Sequence, residues 1–289
     1  MGRQRKSRSE NAGSSAPGGP VAGIYPIDTG TCELVADPND PNSWLVNVNG
    51  APSSHITPDD PGRLDFDYMR WISLVVRERW QPDAALRFLH LGGGACSLAR
   101  YFAHTYPQSR HVVVEIDGTL AELARQWFDL PRAPRLRIRA GEARAVTETL
   151  TESTRDVVIR DVFAGDATPA ALTTTEFTAH VRRVLAPGGI YVVNCGDQRD
   201  LSTAKREAAT IGAAFRFTAA IADQAMLKGR RRGNIVIAGS DDPLGQSPAL
   251  ARDLLVGGVP AHVLQDEQTR HFAGTSLPLR DAPATTSFE

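Results

Sequence analysis

The sequence predicts an α/β fold with a seven-stranded, largely parallel sheet and a small β-hairpin region before it. Short apolar runs alternate with amphipathic segments over most of the 289 residues, which is the pattern of strands joined by crossover helices. The run Arg87–Leu91 leads into Gly92, Gly93 and Gly94 and then an amphipathic segment, so we expect strand, tight loop and helix there. Glycines at such a junction let the backbone turn sharply and approach a ligand.

Composition divides the chain into four stretches. Residues 1–22 are basic at first and then rich in Ser, Gly and Pro, so we expect a disordered tail. Residues 23–62 hold the predicted hairpin, and residues 63–240 form the main α/β domain. Residues 241–289 are a C-terminal extension that we expect to be partly disordered.

The hairpin is predicted from two alternating stretches, Cys32–Ala36 and Trp44–Val48, around the turn-rich Asp37–Pro41. Two strands alone are marginally stable in water, so this hairpin must pack on the main domain or pair with another subunit. An apolar face between Leu64 and Val76 then predicts a helix that leads into the glycine strand.

The main domain alternates strand and helix with short gaps. The predicted strands are Leu86–Leu91, Val112–Ile116, Leu136–Ile138, Val157–Ile159 and Ile190–Val193. The predicted helices are Ser97–Tyr106, Thr119–Phe128, Ala143–Leu150, Thr174–Leu185 and Ser202–Gly212, with one more at Ala249–Val256. A closing antiparallel pair is predicted at Phe215–Ala220 and Asn234–Ala238, while the pattern places nothing beyond residue 256.

Composition also excludes several classes of protein. No apolar run approaches the roughly 20 residues of a membrane helix, so we expect a cytoplasmic protein that contacts no membrane. Cys32, Cys96 and Cys195 are far apart and lack metal-binding spacing, so we expect reduced thiols and no metal. The formal net charge of -1 argues against a nucleic-acid partner.

The glycine loop gains meaning from the next strand, which ends in Glu115. A carboxylate at the tip of the second strand can accept hydroxyl groups of a ribose, while the glycines and the helix start hold the rest of a nucleoside. A plain strand-to-helix turn is the alternative, and the spacing to Glu115 disfavours it. We therefore expect Gly92, Gly93, Gly94 and Glu115 to bind a nucleoside.

Five motifs in their order and spacing resemble those of the spermidine synthase family. They are Leu91–Gly94, Val114–Asp117, Ala140–Ala143, Asp161–Asp166 and Leu185–Gly189. The similarity runs from the hairpin at Thr31 to about Ser240. Within the family, the sequence looks like an actinobacterial-type spermidine synthase-like protein. It implies a class I S-adenosylmethionine-dependent methyltransferase-like, Rossmann-like fold for the main domain, and dimerisation through the hairpin.

The resemblance also implies roles for individual residues. Glu115 would hold the ribose, and Glu142, at the position of the family's aspartate, would hold the adenine amino group. Asp161 would be the catalytic base in contact with the nucleoside co-substrate and, together with Asp166 and Tyr68, would bind the attacking amine. The chemistry requires a base, because a primary amine with a pKa of about 10.4 is protonated at neutral pH. Alternatively, Asp161 only caps the turn after its strand, and Asp166 is part of a solvated loop.

Several positions depart from the family pattern and bear on the substrate. Ala95 replaces an aspartate that grips the amino group of decarboxylated S-adenosylmethionine, and Ser53 stands where glutamine is common. Arg70, in place of an acid beside the polyamine site, would repel a polyamine if it faced the pocket. Phe163 and Gly165 stand where the family's loop has small polar residues.

Three functions remain open at this point. The first is transfer of an aminopropyl group from decarboxylated S-adenosylmethionine to a small-molecule, putrescine-like amine, with release of methylthioadenosine. The second is methyl transfer from intact S-adenosylmethionine, which Ala95 favours because a substrate carboxylate would meet no negative charge. The third is a non-catalytic family member. For each of them we expect a homodimer.

Overall fold

Two β-sheets organise the part of the chain that the computed structural model describes, residues 19–165 and 167–283. Its strands are β1 Gly23–Ile27, β2 Gly30–Asp37, β3 Asp40–Val48, β4 Ala51–Ile56, β5 Arg87–Leu91, β6 Arg110–Glu115, β7 Leu136–Ala140, β8 Arg155–Arg160, β9 Leu185–Asp197, β10 Phe217–Asp223, β11 Gly233–Ser240 and β12 Ala261–Leu264. Its helices are α1 Asp67–Arg79, α2 Ser97–Thr105, α3 Gly118–Phe128, α4 Ala143–Thr149, α5 Thr175–Val184, α6 Ser202–Ala214, α7 Gln224–Leu227, α8 Pro248–Leu254 and α9 Asp266–Ala273.

The larger sheet has the order β12-β10-β11-β9-β8-β5-β6-β7. Strands β5 to β9 are mutually parallel, and β11 pairs antiparallel with both β9 and β10. Every side chain from Ile190 to Cys195 in β9 is buried. Because successive side chains of a strand point to opposite faces, both faces of the sheet are covered there. The α/β class is therefore confirmed, and the carboxyl ends of five parallel strands share one edge.

The N-terminal region is a four-stranded antiparallel sheet, β1-β2-β3-β4, rather than a two-stranded hairpin. The two predicted strands are β2 and β3, while β1 and β4 are short and mixed in polarity and gave no clear alternation. Cys32 and Val46 pack in one apolar cluster with Leu120 and Trp127 of α3. The sheet thus packs on the main domain, as its marginal stability in isolation requires.

The C-terminal extension adds to the larger sheet, which has eight strands among the described residues where we expected seven. Residues 261–264 form β12, which pairs antiparallel with β10. This strand is only four residues long, so its sequence carries too short a pattern to recognise. Ile116, predicted as the end of a buried strand, lies outside β6 with 61% of its surface exposed.

One further boundary differs from expectation, because β9 begins at Leu185, directly after α5. The predicted Pro187–Gly189 turn lies inside that strand, where Gly188 has a φ of +74°. Of the helices within residues 19–165 and 167–283, none is long and apolar enough to cross a membrane.

Candidate active site

Adjacent strand ends bring Gly92–Gly94, Glu115, Glu142 and Asp161 to one edge of the larger sheet. Backbone hydrogen bonds continue past the strands: the Asp161 amide donates to the Leu91 carbonyl, and the Gly141 amide donates to the Glu115 carbonyl, each at 2.9 Å. These bonds hold the loops after β5, β6, β7 and β8 side by side. Ligands of open α/β sheets bind at this edge.

The glycine loop between β5 and α2 has a conformation and surroundings that exclude other residues. Gly92 has a φ of +85° and Gly94 a φ of +49°, the left-handed region that L side chains rarely adopt. A Cβ on Gly92 would lie 2.1 Å from the Asp161 carbonyl oxygen, and one on Gly94 would lie 2.6 Å from Ser53 Oγ. The glycines therefore let the Asp161 loop and strand β4 approach the glycine loop closely.

Glu115 ends β6 with only 8% of its surface exposed. Its Oε2 accepts hydrogen bonds from the amides of Gly93 at 2.8 Å and Gly94 at 2.9 Å. Its Oε1 accepts one from the Asp117 amide at 3.1 Å. A carboxylate offers about four acceptor sites, so Glu115 orders the glycine loop and retains capacity for a ligand hydroxyl.

Glu142 is exposed and caps the N-terminus of α4. Its Oε1 accepts from the Arg144 amide at 2.9 Å, and its Oε2 accepts from the Ala145 amide at 2.7 Å. The short loop after β7 places this carboxylate at the same sheet edge as Glu115. Each oxygen retains a lone pair, so the cap is compatible with the predicted contact to an adenine amino group, which stays a prediction.

Asp161 directly follows β8, and both of its carboxylate oxygens accept hydrogen bonds from the protein. Tyr68 donates its hydroxyl to Oδ2 at 3.0 Å, and Asn194 donates Nδ2 to Oδ1 at 2.9 Å. Burial raises the pKa of Asp161 above its ordinary value, opposed by these two bonds and by the positive charge of Arg160. The site therefore holds a fixed, partly desolvated carboxylate of raised basicity.

Asn194 and Asn234 belong to this site, and the sequence-based reasoning missed both. The Asp161 carboxylate only accepts hydrogen bonds, so Asn194 turns its Nδ2 toward it, and Asn194 Oδ1 then accepts from Asn234 Nδ2 at 2.9 Å. Asn194 is 1% exposed on β9. A polar residue at the end of the apolar run Ile190–Val193 was the available signal, since buried amides need partners.

Tyr68 lies on the first turn of α1, with its ring stacked on Phe66. Arg70 follows two residues later, about 200° round the helix, and so points away from Asp161. Its guanidinium donates to the Val256 carbonyl at 2.6 Å and to Asp67 at 3.3 Å. Arg70 therefore ties α1 to the C-terminal extension, on the side of the helix away from Asp161.

Ala95, at the position of the family's aspartate, is fully buried. Its amide donates to Ser54 Oγ on β4 at 3.0 Å, while Ser53 Oγ lies against Gly94. Two serine hydroxyls of the N-terminal sheet thus pack on the glycine loop.

The loop after Asp161 is described only in part. Asp166, predicted to bind the amine, lies outside the described residues. Phe163 is 38% exposed, and Ala164 and Ala167 form an isolated antiparallel bridge. Gly165 has a φ of +69° and nothing within 4 Å of a Cβ built there.

Within residues 19–165 and 167–283, no group of three or more His, Cys, Asp or Glu side chains could hold a metal ion. Cys32, Cys96 and Cys195 are all buried and free. Burial raises the pKa of the Cys96 thiol to about 12, so it stays protonated beneath the glycine loop. These thiols offer no nucleophile to the site.

Comparisons with known proteins place these features in context; no family model matches the chain. A probable spermidine synthase from Corynebacterium glutamicum is 49% identical, with 93% of this chain and 100% of that one covered at a TM-score of 0.89. A polyamine aminopropyltransferase from Vibrio vulnificus is 29% identical over 134 residues, 46% of this chain. The chain spans 44% of that relative's length.

A human methyltransferase-like protein, number 13 in its series and crystallised with SAH, is 20% identical. The match covers 77% of this chain and 98% of that one at a TM-score of 0.51. At this identity the likeness shows the fold alone. The main domain therefore has the predicted class I methyltransferase-like fold.

Proposed function

The chain belongs to the spermidine synthase (polyamine aminopropyltransferase) family, and we propose that it transfers the aminopropyl group of decarboxylated S-adenosylmethionine to a small-molecule amine. The observation that carries the proposal is Asp161, fixed at the carboxyl end of β8 by Tyr68 and Asn194. It is the position at which an attacking amine would meet a nucleoside held by the neighbouring strands.

The residues of the glycine loop fit the nucleoside. Gly92, Gly93 and Gly94 give a backbone surface without side chains, and Glu115 keeps acceptor capacity for a ribose hydroxyl. Glu142, at the end of the next strand, would accept from the adenine amino group. The sulfonium end of the same molecule would then lie toward Asp161.

The proposed chemistry begins with an ammonium ion. Asp161 binds the cation through its charge and takes one proton, which leaves a neutral amine with a free electron pair. That pair attacks the methylene next to the sulfonium, the C–S bond breaks, and its electrons return to sulfur as methylthioadenosine leaves. Burial supports the proton transfer, because it raises the pKa of Asp161 toward that of the amine. Asp166 would contribute a second carboxylate to the amine, as the family's loop implies.

Methyl transfer from intact S-adenosylmethionine is the second candidate, and Ala95 is the specific observation that favours it. In the family an aspartate at this position grips the amino group of decarboxylated S-adenosylmethionine. Here Ala95 is buried under Ser54 and offers no charge, so the carboxylate of intact S-adenosylmethionine would meet no repulsion from this position. Ser53 and Ser54 are neutral and discriminate weakly between the two sulfonium compounds.

The oligomeric state and the cellular compartment of the enzyme are also proposals. We infer a homodimer that forms through the N-terminal sheet, because β1 and β4 are its edges and Ile24 of β1 is 71% exposed. We also infer that it acts in the cytoplasm, where its three free thiols stay reduced. Neither metal nor nucleic acid has a part in this scheme.

The test compares both sulfonium compounds with a panel of primary amines, and mass spectrometry identifies the product. An adduct heavier by an aminopropyl group, together with methylthioadenosine, is the expected result. A methylated product instead would assign the second candidate. If calorimetry shows that both compounds bind and no amine is modified, the chain is the non-catalytic family member.

A further inference from the structure

A buried ion pair lies directly behind the proposed base. Arg160, the last residue of β8, is 1% exposed, and Glu207 of α6 is 2% exposed. Arg160 Nη2 lies 2.6 Å from Glu207 Oε2. Burial works against the charged guanidinium, yet the Glu207 carboxylate outweighs it and holds the pKa of Arg160 above its ordinary value.

Arg160 also connects the two ends of the loop that carries Asp161. It directly precedes Asp161, and its Nη1 donates to the carbonyl of Leu172 at 2.7 Å. Leu172 ends the 3-10 turn that closes this loop. The planar guanidinium therefore holds the start of the loop, the end of the loop and helix α6 with one side chain.

This ion pair is a poor way to stabilise a core, because burying charged and unpaired polar groups costs free energy. Arg160 Nε, Glu207 Oε1 and the Tyr191 hydroxyl are buried and have no hydrogen-bond partner among the described residues. Replacing a buried ion pair by apolar residues of similar volume is often neutral or stabilising. Stability alone therefore gives no reason to place an arginine before Asp161.

We propose that Arg160 is a positioning residue. It holds the two ends of the Asp161 loop together and keeps Asp161 ionised through its adjacent positive charge, while the Glu207 carboxylate partly offsets the effect of that charge. The proposal rests on the proposed role of Asp161 in proton transfer. Alternation along β8 sends the Arg160 and Asp161 side chains to opposite faces, so Arg160 acts through charge and loop geometry without touching the substrate.

Few other titratable groups surround the two side chains. Asp161 is faced by Tyr68 from α1 and by Asn194 from β9. Around Arg160 and Glu207 lie Tyr191, Cys195 and Asp197, all on β9. Burial raises the pKa values of Tyr191 and Cys195, so both stay neutral at pH 7. Asp197 accepts from the backbone amides of Gln198 and Ala204, at 2.7 Å each.

Substitutions of Arg160 and of Glu207 should shift the pH–rate profile in opposite directions. This distinguishes the proposed role from a purely structural one. Arg160→Met removes the positive charge, so the acid limb of the pH–rate profile should move up by about one pH unit. Glu207→Gln leaves Arg160 uncompensated, so the same limb should move down. The double variant should regain stability relative to Arg160→Met and keep the upward shift. Arg160→Lys should keep the wild-type midpoint and raise KM, since an ammonium cannot span the same partners.

A purely structural pair would lower the unfolding midpoint in both single variants and leave the pH midpoint unchanged. That result would overturn the proposal. If Arg160→Met does not fold, Glu207→Gln decides alone, because only the charge effect moves its acid limb downward. If the wild-type protein transfers no group to any amine, the proposed function is refuted, and the role of Arg160 is tested separately. NMR titration of carbon-13-labelled aspartate then measures the Asp161 midpoint in the same proteins without turnover, and equal midpoints would refute the role of Arg160.

Discussion

Tyr68 donates its hydroxyl to Asp161 Oδ2 at 3.0 Å, a contact between residues 93 positions apart in the chain. Burial and the adjacent Asp161 charge raise the pKa of Tyr68 well above its ordinary value, so the phenol remains a donor at every working pH. The bond fixes the orientation of the carboxylate at the strand end and stabilises its ionised form.

Tyr68→Phe should therefore raise the pKa of Asp161 and slow turnover by about tenfold, with the acid limb of the pH–rate profile displaced upward. Tyr106→Phe is the matched control, because it also deletes a buried hydroxyl, one that donates to the Trp80 carbonyl at 3.0 Å. The control should lose roughly 1 kcal/mol of stability and keep the wild-type profile. Identical pH profiles for both variants would remove Tyr68 from the site.

Asp161→Asn should reduce turnover by roughly 10²- to 10⁴-fold while the affinity for methylthioadenosine stays near wild type, because the amide cannot take a proton. Single-turnover kinetics and calorimetry measure the two effects separately. Asp156→Asn changes a carboxylate at the opposite end of the same strand, where it pairs with Arg87, and should leave turnover unchanged. Normal turnover in Asp161→Asn would show that another group is the base.

Glu115→Gln should weaken methylthioadenosine binding by roughly 1.5–3 kcal/mol, the range for a hydrogen bond to a charged group. The amide nitrogen of glutamine cannot accept a hydrogen bond. In place of Oε1 it would leave both the Asp117 amide and the ribose without an acceptor, and in place of Oε2 it would do the same to the Gly93 and Gly94 amides. Glu142→Gln tests the adenine contact and should weaken the adenosine compound more than an inosine analogue. Unchanged affinity in Glu115→Gln, measured by calorimetry, would exclude that residue from the site.

The sequence predicted those parts of the fold that have long, regular patterns. The apolar run that contains Ile190–Val193 and the glycine junction at Gly92–Gly94 each specify one local structure, and both formed as expected. β4 and β12 were missed because their stabilisation comes from pairing with β3 and β10, which no local pattern records. Tertiary pairing decides such short strands.

The site residues also divide into those that the sequence predicted and those that depend on tertiary pairing. Glu115 and Asp161 were placed at strand ends, where the order of the strands alone brings them to one edge. Asn194 and Asn234 were not foreseen, because their importance depends on the antiparallel pairing of β9 with β11. Arg70 was considered for the pocket without its helical phase, and that phase turns it toward Val256.

Dimerisation is tested by sedimentation. The full-length protein should be a dimer at micromolar concentration, and a variant that lacks residues 1–22 should remain one. Ile24→Lys places a charge on the exposed edge strand β1, where Ile24 is 71% exposed, and should weaken the dimer. Val256→Lys changes an equally exposed apolar residue after α8, at 66%, and serves as the control. A monomeric full-length protein would contradict the proposal.

The pH dependence of stability provides a test that needs no substrate. Burial raises the pKa of Asp161 in the folded state above its unfolded value of about 3.9. Below both values the acid is protonated in both states and has no effect. As the pH rises through the folded pKa, the native state must ionise a partly buried group, and stability is lost. Asp161→Asn lacks this loss, so urea unfolding should show the variant gaining on the wild type as the pH rises from about 4 to neutral.

Asp281→Asn is the control with the opposite sign. Hydrogen bonds from Arg144, at 2.7 Å and 2.6 Å, lower the pKa of Asp281 to about 2. A lowered folded pKa contributes stability above the unfolded value, which is lost as the pH falls toward about 2. Asp281→Asn should therefore be less stable than the wild type at neutral pH, and the deficit should shrink on acidification. Parallel pH trends in the two variants would mean that Asp161 is not destabilised by burial, and proton transfer would then lose its physical basis.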